Sequence, residues 1–206
     1  MSRPAVLGAA LAVLLLTAVA LASCAGGTKM ETHATPSVGP AQSEMRVLAP
    51  SAVPGLPSTT QVLTIGELAK DAPIHGLTGR LAAWGYVDGR ERTFQGESRR
   101  LTSVISRSLV FGDPAGAAAY VAYVRAHATT YFGVATGVRP LKAQGRPGWL
   151  FSPPACACHL ANPVLVGVVR DGSHVVWLDI NGPKATRALL MRLLDPAESA
   201  PTSVAG

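Results

Sequence analysis

Short catalytic signatures are missing from this 206-residue chain. It has no G-x-S-x-G turn, no S-x-x-K, no H-E-x-x-H and no phosphate-binding glycine loop. That excludes the compact arrangements that mark a hydrolase elbow, a metalloprotease helix or a nucleotide cradle, and leaves only sites assembled from distant positions. Cysteine is scarce as well. Three residues, Cys24, Cys156 and Cys158, allow one bridge within the chain and no disulfide framework. Strong charge is also absent, because 18 Lys and Arg stand against 12 Asp and Glu. A balance this modest favours contact with anionic lipid or envelope polymer by long-range attraction.

What is present begins with an apolar N-terminus. Arg3 precedes an uncharged stretch of Ala, Val and Leu from Ala5 to Leu21, which suits entry into a bilayer but is short for a stable span. The stretch closes on Leu21-Ala22-Ser23-Cys24, which resembles the lipobox of bacterial lipoproteins. The resemblance implies a signal peptide over residues 1–23, and a mature chain starting at Cys24 with a thioether-linked diacylglycerol and an acylated amino terminus. It implies a membrane partner through that lipid, on the extracytoplasmic face, where nucleic acid is not an expected partner. Two or three chains hold far better than one, since each buried methylene adds about 0.8 kcal/mol of membrane affinity.

Residues 24–61 carry Pro36, Pro40, Pro50, Pro54 and Pro57 among many Ser, Thr and Gly, without apolar periodicity. This composition predicts a flexible tether, with a typical reach of about 5–6 Å times the square root of its length. Residues 195–206, with Pro196 and Pro201, are expected to form a disordered tail. Residues 62–194 then make one domain of ordinary size.

Within that domain Thr64-Ile65-Gly66-Glu67 has capping-box form and predicts a short helix through Lys70. A second helical segment is expected over residues 77–84. Tyr86-Val87 opens a strand, Gln95-Gly96-Glu97 reads as a hairpin turn, and residues 99–111 are rich in β-formers. Asp113-Pro114 predicts a helix start, and Ala117, Tyr120, Val121 and Val124 form its core face. Residues 162–170 and 174–180 flank an Asp171-Gly172 turn, the first being apolar on both faces, as in a central strand. Asn181-Gly182-Pro183 predicts the last helix, which carries Leu189, Leu190, Leu193 and Leu194. The fold class is therefore α+β. It is an antiparallel sheet with helices packed on a face, and its order suggests two strand-strand-helix units about 70 residues apart in the chain.

That order, with Gly85-Tyr86-Val87, Arg92-Thr93-Phe94 and the segment from Phe111 to Tyr123, resembles envelope lipoproteins of actinobacteria. It is also similar to the extracellular sensor domains of actinobacterial Ser/Thr kinases. The resemblance implies ligand sensing or envelope interaction, with an envelope lipid, glycan or protein as partner, and brings no catalytic residue or cofactor with it.

Cys156-Ala157-Cys158-His159 is the densest cluster of reactive side chains. Outside the cytoplasm adjacent thiols oxidise, so a Cys156–Cys158 disulfide is the first expectation, closing a small and strained ring. Soft-metal handling is the alternative, with Cys156, Cys158 and His159 as ligands for copper(I) or zinc. Thiol exchange is a third reading. Arg90, Arg92, Arg99, Arg100 and Arg107 crowd the first hairpin, either as a solvated salt-bridged surface or as an anion-binding patch that grips phosphate groups. Arg107 interrupts the face carrying Leu101, Ile105 and Leu109 and so points somewhere specific. Tyr131-Phe132 and Trp149-Leu150-Phe151 are core residues or the lining of a pocket between helix and sheet.

Overall fold

The computed structural model describes residues 46–72, 74–96, 98–154 and 162–195. Seven strands form one sheet: β1 (Ser58–Val62), β2 (Tyr86–Gln95), β3 (Ser103–Phe111), β4 (Gly137–Ala143), β5 (Arg146–Ser152), β6 (Val164–Asp171) and β7 (His174–Asn181). Their spatial order is β1-β2-β3-β7-β6-β5-β4, and every neighbouring pair is antiparallel. Among the described residues five α-helices accompany them: α1 (Ile65–Lys70), α2 (Leu77–Ala83), α3 (Pro114–Ala126), α4 (Ala128–Phe132) and α5 (Arg187–Leu193). The class is α+β, as the alternation of hairpins and capped helices predicts.

The local signals work as their chemistry requires. Thr64 Oγ1 accepts from the Glu67 amide at 3.2 Å while Glu67 Oε2 accepts from the Thr64 amide at 2.7 Å, so α1 begins on a complete capping box. Asp113 accepts from the Gly116 amide at 2.7 Å and Pro114 occupies the first turn of α3. β6 lies inside the sheet, between β7 and β5. That accounts for apolar side chains on both of its faces.

Both faces of the sheet are covered, and the side-chain period of two divides the core into two layers. Leu109 and Phe111 of β3, Val175 and Trp177 of β7, and Val166 and Val168 of β6 point into one layer with Leu68, Leu77, Leu81, Tyr120 and Val124 from α1, α2 and α3. The alternate residues Val104, Val176, Leu178, Ile180 and Val169 point into the other, against Leu190 of α5 and against Leu48, Val53 and Leu56. A Cβ on Gly167 of β6 would meet Leu194, Leu141 and Leu190, so α5 sits directly on that second face.

Four features depart from the sequence reading. The chain packs from residue 46 onward, well before residue 62. Val47, Leu48, Val53 and Leu56 are buried, the Leu48 amide donates to Ser106 Oγ at 3.0 Å, and β1 pairs along β2. Pro50 starts a 3-10 turn at Pro50–Ala52, and the prolines there do not prevent the interspersed apolar residues from covering the sheet. Secondly, α5 starts at Thr186, whose hydroxyl accepts from the Leu189 amide, and not at Asn181-Gly182-Pro183. Thirdly, the β4–β5 hairpin and α4 stand between the two proposed units. Finally, α3 and α5 pack on opposite faces, so the two strand-strand-helix units are not placed alike and helices occupy both faces instead of one.

Candidate functional site

The five arginines of the first hairpin do not form one patch. Arg90 and Arg92 stand opposite Ser108 and Ser106 in the β2–β3 register, whereas Arg107 stands opposite Glu91. Alternation therefore sends Arg107 to the face away from Arg90 and Arg92. Arg92 holds the N-terminal segment, donating to the Leu48 carbonyl at 2.5 Å and to Thr60 Oγ1 at 2.8 Å. Arg99 and Arg100 are exposed in the β2–β3 connection.

Arg107 is the arginine with a specific destination. Its Nε donates to Glu91 Oε2 at 2.5 Å, and its two terminal nitrogens reach the Asp71 carboxylate at the end of α1. The guanidinium carbon lies 5.3 Å from the centre of the Trp177 ring. Glu91 also accepts from Gln61 Nε2 at 2.8 Å and Thr93 Oγ1 at 3.2 Å. Burial alone would lower the Arg107 pKa, but Asp71 and Glu91 reverse this and hold it above its usual range. At Asp71 burial outweighs the attraction of Arg107, so its carboxyl is pushed up. The buried phenols of Tyr120 and Tyr131 border this group and are pushed above their ordinary range by desolvation. The cation is matched by two carboxylates and covered by an aromatic ring, which makes it a fastener of α1 to the sheet with its charge already balanced.

Asp179 follows Trp177 on the same face of β7, between Ile105 and Val166 in register. Burial pushes its carboxyl up to about 6, only partly offset by Arg107. His127 Nδ1 lies 2.9 Å from the Tyr123 carbonyl. Among the described residues no group of three or more His, Cys, Asp or Glu is placed to hold a metal ion. Cys24 and the Cys156, Cys158, His159 cluster lie outside the described residues, as does the pairing expected of them.

Of the two readings of Tyr131-Phe132 and Trp149-Leu150-Phe151, core packing is the one the structure shows. Phe132 meets Phe151 at 4.7 Å and Trp177 at 5.4 Å between ring centres, and Arg125 covers Trp149 at 4.0 Å. That fills the space between α4 and the sheet.

A cavity lies on the other face. A groove of about 770 Å³, open to solvent along one side, runs between residues 52–56, the β2–β3 connection and α5 with its approach. Val53, Leu56, Leu101, Leu189 and Leu193 give it apolar walls, and Arg100, Lys184 and Arg192 supply cations. Among the described residues no acidic side chain lines it.

Its walls are fixed by local bonds. Ser98 Oγ accepts from the amides of Arg100 at 3.1 Å and Leu101 at 3.0 Å. The Lys184 amide donates to the Arg100 carbonyl at 2.9 Å, and the Thr102 amide to the Asn181 carbonyl at 2.8 Å. Gly182 makes this approach feasible. Its φ is +147°, and a Cβ there would stand 2.5 Å from Leu101 Cα and 2.7 Å from the Arg100 carbonyl oxygen. The Gly182-Pro183 pair thus brings the lead-in of α5 against the β2–β3 connection. Sequence reasoning named Arg100, Leu189 and Leu193 but did not bring them together.

No family model matches the chain, and no curated protein sequence is similar to it. The likeness to kinase sensor domains, drawn from the order of elements, has a weak structural counterpart in the extracellular domain of PknH from Mycobacterium tuberculosis. The similarity covers 79% of this chain and 97% of that one, at a TM-score of 0.40 and 10% sequence identity. Values this low bring neither residue roles nor function across.

Proposed function

We propose that the chain is a membrane-tethered, non-catalytic envelope protein, anchored through lipid on Cys24, whose groove between residues 52–56, the β2–β3 connection and α5 binds the apolar part of a ligand. The groove itself is the observation that carries the reading. Its volume of about 770 Å³ falls within the roughly 300–1,000 Å³ of small-molecule sites, which are likewise mostly apolar with a few placed polar groups. Leu189 and Leu193 remain only half covered, so a ligand seated there removes apolar surface from water at about 25 cal/mol per Å². Organic extraction of the full-length protein purified from envelope membranes, followed by mass spectrometry, tests the reading. An apolar species is expected with the wild type and at least tenfold less of it with Leu189→Arg, a half-exposed position where the new charge obstructs the groove without entering the core. Equal recovery from both folded proteins would count against the groove as the site.

A further inference from the structure

We infer that the ligand of this groove is a single-chain anionic amphiphile, with its acyl chain along Val53, Leu56, Leu101, Leu189 and Leu193 and its acidic head, carboxylate or phosphate, at Arg100 and Lys184. The inference rests on the groove being a ligand site, as proposed above, and adds the class of molecule. Charge is the first support, since three cations and, among the described residues, no acid line the groove. Arg192 has a partner of its own. The side chains of Arg100 and Lys184 make no hydrogen bond or ion pair among the described residues. Several other basic side chains that touch the fold are engaged, as Arg46 is by Asp171, Arg107 by Asp71 and Glu91, and Arg146 by the Leu194 carbonyl, whereas Arg90, whose Nε has no partner among the described residues, does not line the groove.

The second support is position. The bond from the Lys184 amide to the Arg100 carbonyl fixes the two backbones side by side, so both cationic residues enter the groove's lining from neighbouring points of the fold. Low-dielectric walls focus their field and raise its pull on an anion above that of two solvated cations. Arg adds a planar fork that fits carboxylate or phosphate bidentately. The third support is size, because a volume of about 770 Å³ is that of one drug-sized molecule, which fits one acyl chain with its head.

The test uses full-length protein in phosphatidylcholine nanodiscs, photolabelled with a diazirine-bearing palmitic acid or with its methyl ester at equal mole fraction, and the labelled peptides mapped by mass spectrometry. The acid is expected to label residues 184–193 and 52–56 with at least tenfold the yield of the ester. In the Arg100→Gln, Lys184→Gln variant, shown by circular dichroism to be folded, acid labelling should fall to the ester level. Displacement by unlabelled palmitate or by lysophosphatidate, with none by zwitterionic lysophosphatidylcholine, supports the acidic head and tells carboxylate from phosphate. Equal labelling by acid and ester overturns the anionic class while leaving the groove as a ligand site. Labelling of neither kind in these peptides overturns both.

Discussion

Arg107→Met should destabilise the domain by about 3–5 kcal/mol at pH 7, because it leaves the buried carboxylate of Glu91, and beside it the partly exposed one of Asp71, without their cation. Glu91 is 7% exposed and Asp71 is pushed towards its neutral form by burial even with Arg107 present. Methionine approximates the length of the stem, so lost packing is a small part of the effect. Against a total stability of about 5–15 kcal/mol, such a loss leaves a marginal fold, and urea denaturation measures it directly. Two controls separate the ion pair from simple damage. The deficit should shrink in acid, as the Asp71 carboxyl, pushed up by burial, takes up its proton and no longer needs a cation. It should also shrink when Asp71→Asn and Glu91→Gln are added, since replacing a whole buried charged group is far less costly than removing one member. A loss that persists unchanged in the triple variant would mean that Arg107 acts through packing against Trp177 and not as a charge.

Asp179→Asn should act in the opposite direction. With its carboxyl at about 6 against about 3.9 for an unfolded Asp, the folded chain holds this proton more tightly than the unfolded chain. Stability then falls as pH rises through the window from about 4 to 6 and levels off above it. Below about pH 4 the residue is protonated in both states and imposes no penalty. Removing the ionisable group should therefore raise stability at pH 7.5 by up to about 3 kcal/mol, two pKa units at 1.36 kcal/mol each, and change little at pH 3.5. Denaturant midpoints of wild type and variant across that range give the comparison. A variant less stable than wild type at pH 7.5 would show that the carboxylate is held charged by a cation, contrary to its burial between Ile105 and Val166.

How far the fold could be read in advance depended on whether its signals were local. Thr64 with Glu67 and Asp113 with Pro114 are complete within four residues, and both produced the helices they announce. The β4–β5 hairpin hides its alternation behind Pro140 and Pro147, which an edge hairpin tolerates. The signal that could have revealed it is Gln144-Gly145, a two-residue turn in which both residues take positive φ, 51° and 81°, the geometry that twisted hairpins prefer. The packed segment from residue 46 was obscured by proline, whose effect on composition says nothing about the apolar residues between.

The arginine cluster illustrates a different limit. Arg90, Arg92 and Arg107 are close in the hairpin, yet a period of two places Arg107 on the opposite face once the register is known. Nothing in the sequence fixes that register to one residue. The groove was unreadable for a third reason. Its walls come from residues 52–56, 98–101 and 184–193, stretches that no window along the chain contains together, and they meet only because Gly182 allows two backbones to touch.

The most direct measurement of the groove is hydrogen exchange on full-length protein in phosphatidylcholine nanodiscs, with and without added palmitate. The expected result is slower exchange confined to residues 184–193 and 52–56, with palmitic methyl ester producing at most a tenth of the effect. Unchanged exchange there, or protection appearing instead over α1 to α3 on the opposite face, would contradict a groove that binds an anionic amphiphile.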